Sequence, residues 1–445
     1  MKKIIAMLLA VLFVCGIFAA CGGTEEKKAD TDATEAVDAT TAEVEHAESG
    51  ITEVGGFDAS AVEANAEFKL GVILVGDENE GYTFAHMEGI KKAAEALGLK
   101  EDQIIWKYNI PEDEQCKDAC DDLVGQGCSL IVTNSYGHQS YTQQAAEEYK
   151  DVQFIAMTGD TAKASGLDNF SNAFTRVYES RYVSGVVAGL KLQELIDADK
   201  IPAEGKDKDG NIKIGYVGAF PYAEVVSGYT AFYLGIKSIV SNVVMDVQYT
   251  NSWFDMVAEG AAADALMARG CVIIGQHADS TGAPSAVQKA LESGKVVYSV
   301  GYNVDMLSVA PDAALTSATN NWAVFYTYAI GTAMKGEKVA TNGVCGLESD
   351  GVAITELGKS CAAGTKEKVE EIEAAIKAGT LRVFDTSTFT VGGKEVTEAF
   401  ATDTDGDFVQ DKDNVVFDGY YHESFVQSAP AFTLRIDGIT ELNNN

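Results

Sequence analysis

From Phe68 onward the chain alternates short apolar runs with amphipathic stretches, and that rhythm leaves few folds open. FKLGVILVG, IIWKYNI, CSLIVTNS and VQFIAMTG have the length and apolar density of strands buried on both faces. Between them, HMEGIKKAAEALGL, QCKDACDDLVGQG and HQSYTQQAAEEYK carry apolar residues at helical spacing. A β-α-β-α-β-α-β order implies parallel strands joined by right-handed crossovers. The rhythm then recurs. RYVSGVVAGLKLQELI reads as a helix with small residues on one face, and PAEGKDKDGN as a loop. The strands KIGYVGAF, VVMDVQYTN, CVIIGQHAD and VVYSVGYN alternate with the helices VSGYTAFYLGIKSIV, EGAAADALMARG and PSAVQKALESG. LTSATNN is short and extended, and AVFYTYAIGTAMKGE is a helix closed by Gly336. Two successive halves of this kind predict an α/β protein with two Rossmann-like lobes and parallel sheets around a ligand cleft.

Ligands of such sheets bind beyond the carboxyl ends of the strands. Those ends are GDENEGYTF, NSYG, MTGD, AFPY, NSWFD, QHADST, GYNVD and TNNW. They gather rings and polar side chains, from which the candidate ligand-binding set is Tyr82, Phe84, His86, Asn134, Gly159, Trp253, Gln276, His277, Asn303, Asp305, Asn320 and Trp322. Flat rings suit stacking on a flat, π-rich ligand, and carboxylates and amides suit its polar edge. His277 reads as a ligand contact or a structural hydrogen-bonder rather than a metal ligand, because none of the other histidines stands at ligand spacing from it. No GxSxG, HExxH or P-loop pattern occurs, so neither an enzyme nor a cofactor is expected.

Composition narrows the partners. A formal net charge of −34 over 445 residues disfavours nucleic acid and broad contact with an anionic membrane surface. The first residues, MKKIIAMLLAVLFVCGIFAACGG, have the layout of a secretory signal, here residues 1–20. Phe18-Ala19-Ala20-Cys21 resembles a bacterial lipobox, which implies lipidation of Cys21 and a place on the outer face of the cell membrane. Residues 21–65 are rich in Thr, Ala, Asp and Glu and read as a disordered tether. The lobes are expected at 66–165 with 320–340 and at 166–319 with 341–395, followed by an extension over 396–445. TKEKVEEIEAAIKAG is a helix. Asp403, Asp405, Asp407 and Asp411 form an acidic turn that lacks the full spacing of a calcium loop. Beyond Cys15 and Cys21, the cysteines read mostly as small buried apolar groups, with Cys345 and Cys361 as a possible pair.

NSWFDMVAEGAAADALMARGCVIIGQHADSTG, followed by VGYNVDM and LTSATNNW, is similar to the basic membrane protein family of lipoproteins. Its members include purine nucleoside receptors that feed ABC importers, and the resemblance runs from about Phe68 to Val391. It implies a type I periplasmic-binding fold with three hinge crossings and lobes that close on the ligand, and a terminal strand over LRVFDTSTFTV. It implies an ABC permease and ATPase as partners, with the membrane reached only through the lipid anchor. By the same resemblance Phe84 and Trp253 stack on the ring, and Asp305, Asn303 and Asn320 bond its polar edges. Nucleoside receptors carry an Asn-Asp pair where Ala85 and His86 stand here, and a Lys where Asn320 stands. A free purine base is therefore as good an expectation as a nucleoside. The alternatives are a receptor for another small solute, such as a sugar or autoinducer, and a surface lipoprotein with an adhesion or signalling role.

Overall fold

The computed structural model describes residues 46–401 and 411–443. The signal segment, Cys21, the first part of the tether and most of the acidic turn lie outside the described residues.

The strands run β1 (Thr52–Glu53), β2 (Leu70–Ile73), β3 (Ile104–Lys107), β4 (Leu130–Thr133), β5 (Gln153–Met157) and β6 (Phe170–Thr175), then β7 (Ile212–Gly218), β8 (Val243–Tyr249), β9 (Ile273–Gln276), β10 (Tyr298–Tyr302) and β11 (Ala314–Asn320). Five short ones follow: β12 (Asn342–Cys345), β13 (Val352–Ile354), β14 (Val416–Phe417), β15 (Tyr420–Tyr421) and β16 (Ile439–Glu441). The helices are α1 (Gly81–Leu97), α2 (Glu114–Gly125), α3 (Gln139–Glu148), α4 (Ala162–Ser165), α5 (Val177–Asp197), α6 (Ala223–Lys237), α7 (Met256–Ala268), α8 (Gly282–Glu292), α9 (Trp322–Met334) and α10 (Thr365–Lys377).

Two sheets result. The first, ordered β1-β12-β6-β5-β4-β2-β3, is parallel throughout. The second, ordered β13-β11-β10-β9-β7-β8-β16, is parallel except where β13 pairs with β11. Every residue of β2 and β4 is buried, as expected of strands covered by helices on both faces. In the second lobe α5 and α6 pack backbone to backbone. A Cβ on Gly185 would sit 2.2 Å from the Phe232 carbonyl oxygen, and one on Gly235 would sit 2.2 Å from that of Tyr182. The small face of α5 is therefore a contact face.

Among the described residues up to β13, the chain crosses between lobes three times, at β6 to α5, β11 to α9 and β12 to β13. These crossings correct the expected lobe boundaries. β6 and β12 belong to the first sheet, although both fell in the stretches given to the second lobe. The tether also ends earlier than residue 65. Val54 is buried, its N–H donates to the Val344 carbonyl at 2.9 Å, and the Phe57 ring meets Tyr328 edge-on at 5.9 Å. LRVFDTSTFTV is irregular, with a 3₁₀ turn at Thr386–Thr388 rather than a strand. In the extension, β14 and β15 form their own hairpin and β16 joins β8. The described cysteines are all unpaired, Cys345 and Cys361 included.

Candidate functional site

Between the two sets of strand ends lies a narrow slot. Val75, Glu80, Tyr82, Ser135, Tyr136 and Thr158 line it from the first lobe. Glu224, Trp253, His277, Asp279 and Tyr302 line it from the second. Its cavity volume is ≈ 60 Å³, and it shares Val75, Glu80 and Trp253 with a hollow of ≈ 600 Å³ that also spans both lobes. The lobes meet around it. A Cβ on Gly81 would stand 3.2 Å from the Asp279 carbonyl oxygen, and the Tyr136 and Tyr222 rings approach to 6.2 Å.

The first-lobe wall is set by the start of α1. Tyr82 is half-buried there, and its hydroxyl donates to the Asn134 carbonyl. Beneath it the His86 ring meets Tyr82 edge-on at 4.5 Å and stacks on Trp322 at 4.3 Å. The Tyr326 hydroxyl closes on His86 Nδ1 at 2.6 Å. Burial pushes the His86 pKa down to about 3, so the ring is uncharged at neutral pH. The Asn134 side chain accepts from Val75 N at 2.8 Å and donates to Thr83 at 3.3 Å, bracing α1 against the ends of β2 and β4. Glu80 accepts from the Thr83 hydroxyl, and burial raises its pKa above the usual carboxylate range.

The second-lobe wall is polar and tightly bonded. The His277 ring faces Glu224, with Nε2 to Oε1 at 3.1 Å, and lies 5.0 Å from the Tyr302 ring and 6.4 Å from Trp253. Burial, reinforced by the Arg181 charge, lowers its pKa to about 4. The neutral ring donates from Nε2 to Glu224. Arg181 is buried, lies 3.6 Å over the Tyr302 ring and donates to the Gln276 carbonyl at 2.6 Å. Asp279 is also buried, and its pKa is raised well above the usual range, chiefly by desolvation. Its Oδ1 accepts from Asn303 Nδ2 at 2.5 Å. Asn303 Oδ1 accepts from Asn320 at 3.2 Å, and Asn320 Oδ1 accepts from the Thr175 hydroxyl at the end of β6. A chain of amides thus runs from the slot to the hinge.

The candidate set divides on these facts. Tyr82, Trp253 and His277 line the slot. Phe84 does not. It is 39% exposed and borders two outer hollows, because residues two apart on a helix face different ways. Of the expected Phe84–Trp253 pair only Trp253 lines the slot, and Tyr82 lines it from the other lobe. His86 and Trp322 are core rings under Tyr82. Asn134 and Gln276 spend their side chains inside the protein, Gln276 donating to the carbonyls of Ala278 and Ser280. Gly159 is a packing glycine, since a Cβ there would stand 2.3 Å from Asn172 Nδ2. Asn303 and Asn320 are buried relays. Asp305 is exposed and accepts from Leu307 N at 2.8 Å in its own turn. Glu80, Tyr136, Glu224, Asp279 and Tyr302 line the slot from outside the candidate set. Glu80 and Glu224 stand at the start of a helix beyond a strand end, and the others at or just past a strand end, which is the signal the sequence carries. Among the described residues no three His, Cys, Asp or Glu side chains are grouped to hold a metal. A larger hollow of ≈ 550 Å³ lies on the hinge side, where Arg176 is already paired with Glu53 and Glu348.

Comparison with known proteins fits this geometry. A family model described as Bmp, ABC transporter substrate-binding protein PnrA-like, matches residues 69–387. A purine-binding protein of Brucella abortus is 32% identical over 75% of this chain and 88% of its own length. A putative ABC transporter glucose-binding protein of Haloferax volcanii is 28% identical over 69% of this chain and 72% of its own. Among solved structures, an ABC solute-binding protein from Aeropyrum pernix superposes with a TM-score of 0.59 at 17% identity, covering 71% of this chain and 93% of its own. One from Conexibacter woesei gives 0.53 at 19%, covering 71% and 98%. The fold is the type I periplasmic-binding fold. No helix among the described residues is long and apolar enough to cross a membrane.

Proposed function

We propose, from the premise that this chain belongs to the Bmp family of PnrA-like ABC transporter substrate-binding proteins, that its slot captures a purine base. Members of this family are solute-binding proteins, not enzymes, and work outside the cytoplasm. The finer reading rests on one observation. The slot is lined by aromatic rings from both lobes, Tyr82 and Tyr136 from the first and Trp253 and Tyr302 from the second, with three carboxyl groups and no Lys or Arg. Such walls favour a flat ligand rich in N–H donors and repel one carrying phosphate. Stacking supplies roughly 1–3 kcal/mol per ring, and a hydrogen bond about 0.5–1.5 kcal/mol, or about 1.5–3 kcal/mol where the carboxyl is ionised. Two rings and one or two such bonds reach the roughly 8 kcal/mol of micromolar affinity. Ala85, His86 and Asn320, where nucleoside receptors carry an Asn-Asp pair and a Lys, favour the base over the nucleoside.

Closure of the lobes presents the loaded form to an ABC permease. Cys21 carries the lipid that holds the protein at the outer face of the membrane. Calorimetry with hypoxanthine, guanine, adenine, their nucleosides and glucose tests the ligand. Binding of the bases, with weaker binding of nucleosides, is expected. A response to glucose alone would transfer the slot to a hexose, the reading that the Haloferax relative's name favours. Mass spectrometry of the membrane-extracted protein tests the acylated Cys21.

A further inference from the structure

We infer that Glu259, which lies outside the slot and touches no ligand, is the positioning residue that fixes the gap between Trp253 and Asp279. This rests on the reading of the slot given above. Glu259 is in the first turn of α7 and is fully buried. Its Oε1 accepts from Asp255 N at 3.1 Å, on the loop that carries Trp253. The same carboxylate accepts from Ser280 N through both oxygens, at 3.1 and 3.2 Å, on the loop that carries His277 and Asp279. One further bond joins the two loops directly, from Asp279 N to the Trp253 carbonyl at 2.8 Å. Behind them the first turns of α7 and α8 touch. A Cβ on Gly282 would stand 2.2 Å from the Met256 carbonyl oxygen. One side chain therefore ties the ring of the second-lobe wall to its acid.

The cost of such a residue argues for its purpose. No Lys, Arg or His among the described residues forms an ion pair with Glu259, and a buried carboxylate without a cation is expensive. Three N–H contacts hold its ionised form. Protonation turns one oxygen into a donor facing backbone N–H groups, so one contact must break. The acidic groups that face it are Asp255 on its own loop and Asp279 on the opposite one. Burial lifts the Glu259 pKa to about 7, so the tie loosens as pH falls below neutrality.

The test is calorimetric titration of hypoxanthine into the intact wild type and Glu259→Gln between pH 5.5 and 8.5. Glutamine keeps the size but places an N–H₂ group against two N–H donors. At pH 8.5 the variant is expected to bind about tenfold more weakly, with the gap closing toward pH 5.5. Hydrogen exchange supplies a second readout that needs no ligand: the Asp255 and Ser280 amides should exchange faster in the variant, while amides of the first lobe should not. Equal affinity at pH 8.5, or a gap that does not change with pH, would overturn the inference. So would unchanged exchange at Asp255 and Ser280. If the wild type binds no purine yet those two amides are released, the ligand reading fails and the tie stands.

Discussion

The two walls of the slot are built on different physics. The first-lobe wall is a dry stack in which Tyr82 stands on His86, His86 on Trp322, and Phe174 and Tyr326 close the sides. The second-lobe wall is a web of buried ionisable groups, with Arg181 under Tyr302, His277 against Glu224, and Asp279 between Asn303 and the Glu259 tie. Packed rings hold one arrangement through volume, and they tolerate little change of shape. Hydrogen-bonded charges hold theirs through protonation state, and they can read a ligand's polar edge. Under the proposed purine reading, the first lobe gives a platform for the ring and the second decides which ring is accepted.

Substitutions should separate stability from recognition along that division. Trp322→Ala empties the stack and is expected to cost about 3–5 kcal/mol of folding stability, read by urea unfolding. Any loss of affinity should then trace to Tyr82. Asp279→Ala removes the acid and strands the Asn303 amide. It should weaken purine binding by about 2–3 kcal/mol, with a smaller effect on melting. A collapse of folding instead would move Asp279 from recognition to structure. Trp253→Ala should cost roughly 1–3 kcal/mol of binding, whereas Phe84→Ala should stay within about 0.5 kcal/mol in calorimetry. The reverse order would restore the Phe84 sandwich.

The smallest expected effect is on stability against pH. Burial raises Glu259 and Glu179 to about 7 and Glu423 to about 8, from an ordinary value of 4.5. A raised carboxyl contributes stability that is fully present below pH 4.5 and is lost as pH rises through its folded value. His86 and His277 are lowered to about 3 and 4 from 6.5. Their contribution is present above 6.5 and is lost as pH falls toward those values. Between pH 4.5 and 6.5 the three carboxyls lose more than the two histidines gain, so melting of the ligand-free protein should fall on both sides of a maximum at about pH 5. Glu423→Gln should flatten the alkaline side, and a melting temperature still rising from pH 6 to 9 would contradict the assignment.

The sheets were legible because strands buried on both faces leave continuous apolar runs such as LGVILVG. β6, with Ser171 and Asn172 in its middle, carries polar side chains inside the fold and gave no such run. β1 was hidden because two residues beside a polar tether carry no pattern, although Val54 anchors them. In the site, Trp253 and His277 were legible as residues just past strand ends. The choice between Tyr82 and Phe84 depended on the rotational phase of α1, which the flanking polar residues do not fix. The His86–Trp322 stack joins distant segments, so no local pattern announces it. Glu259 sat among alanines and read as the polar face of a helix until the loops were folded over it.

A crystal structure of the protein with hypoxanthine addresses the central claim most directly. The ring should lie between Tyr82 and Trp253, with an N–H within about 3.2 Å of Asp279. A ring bound against Phe84 in the outer hollow, or a ligand seated away from Asp279, would contradict it.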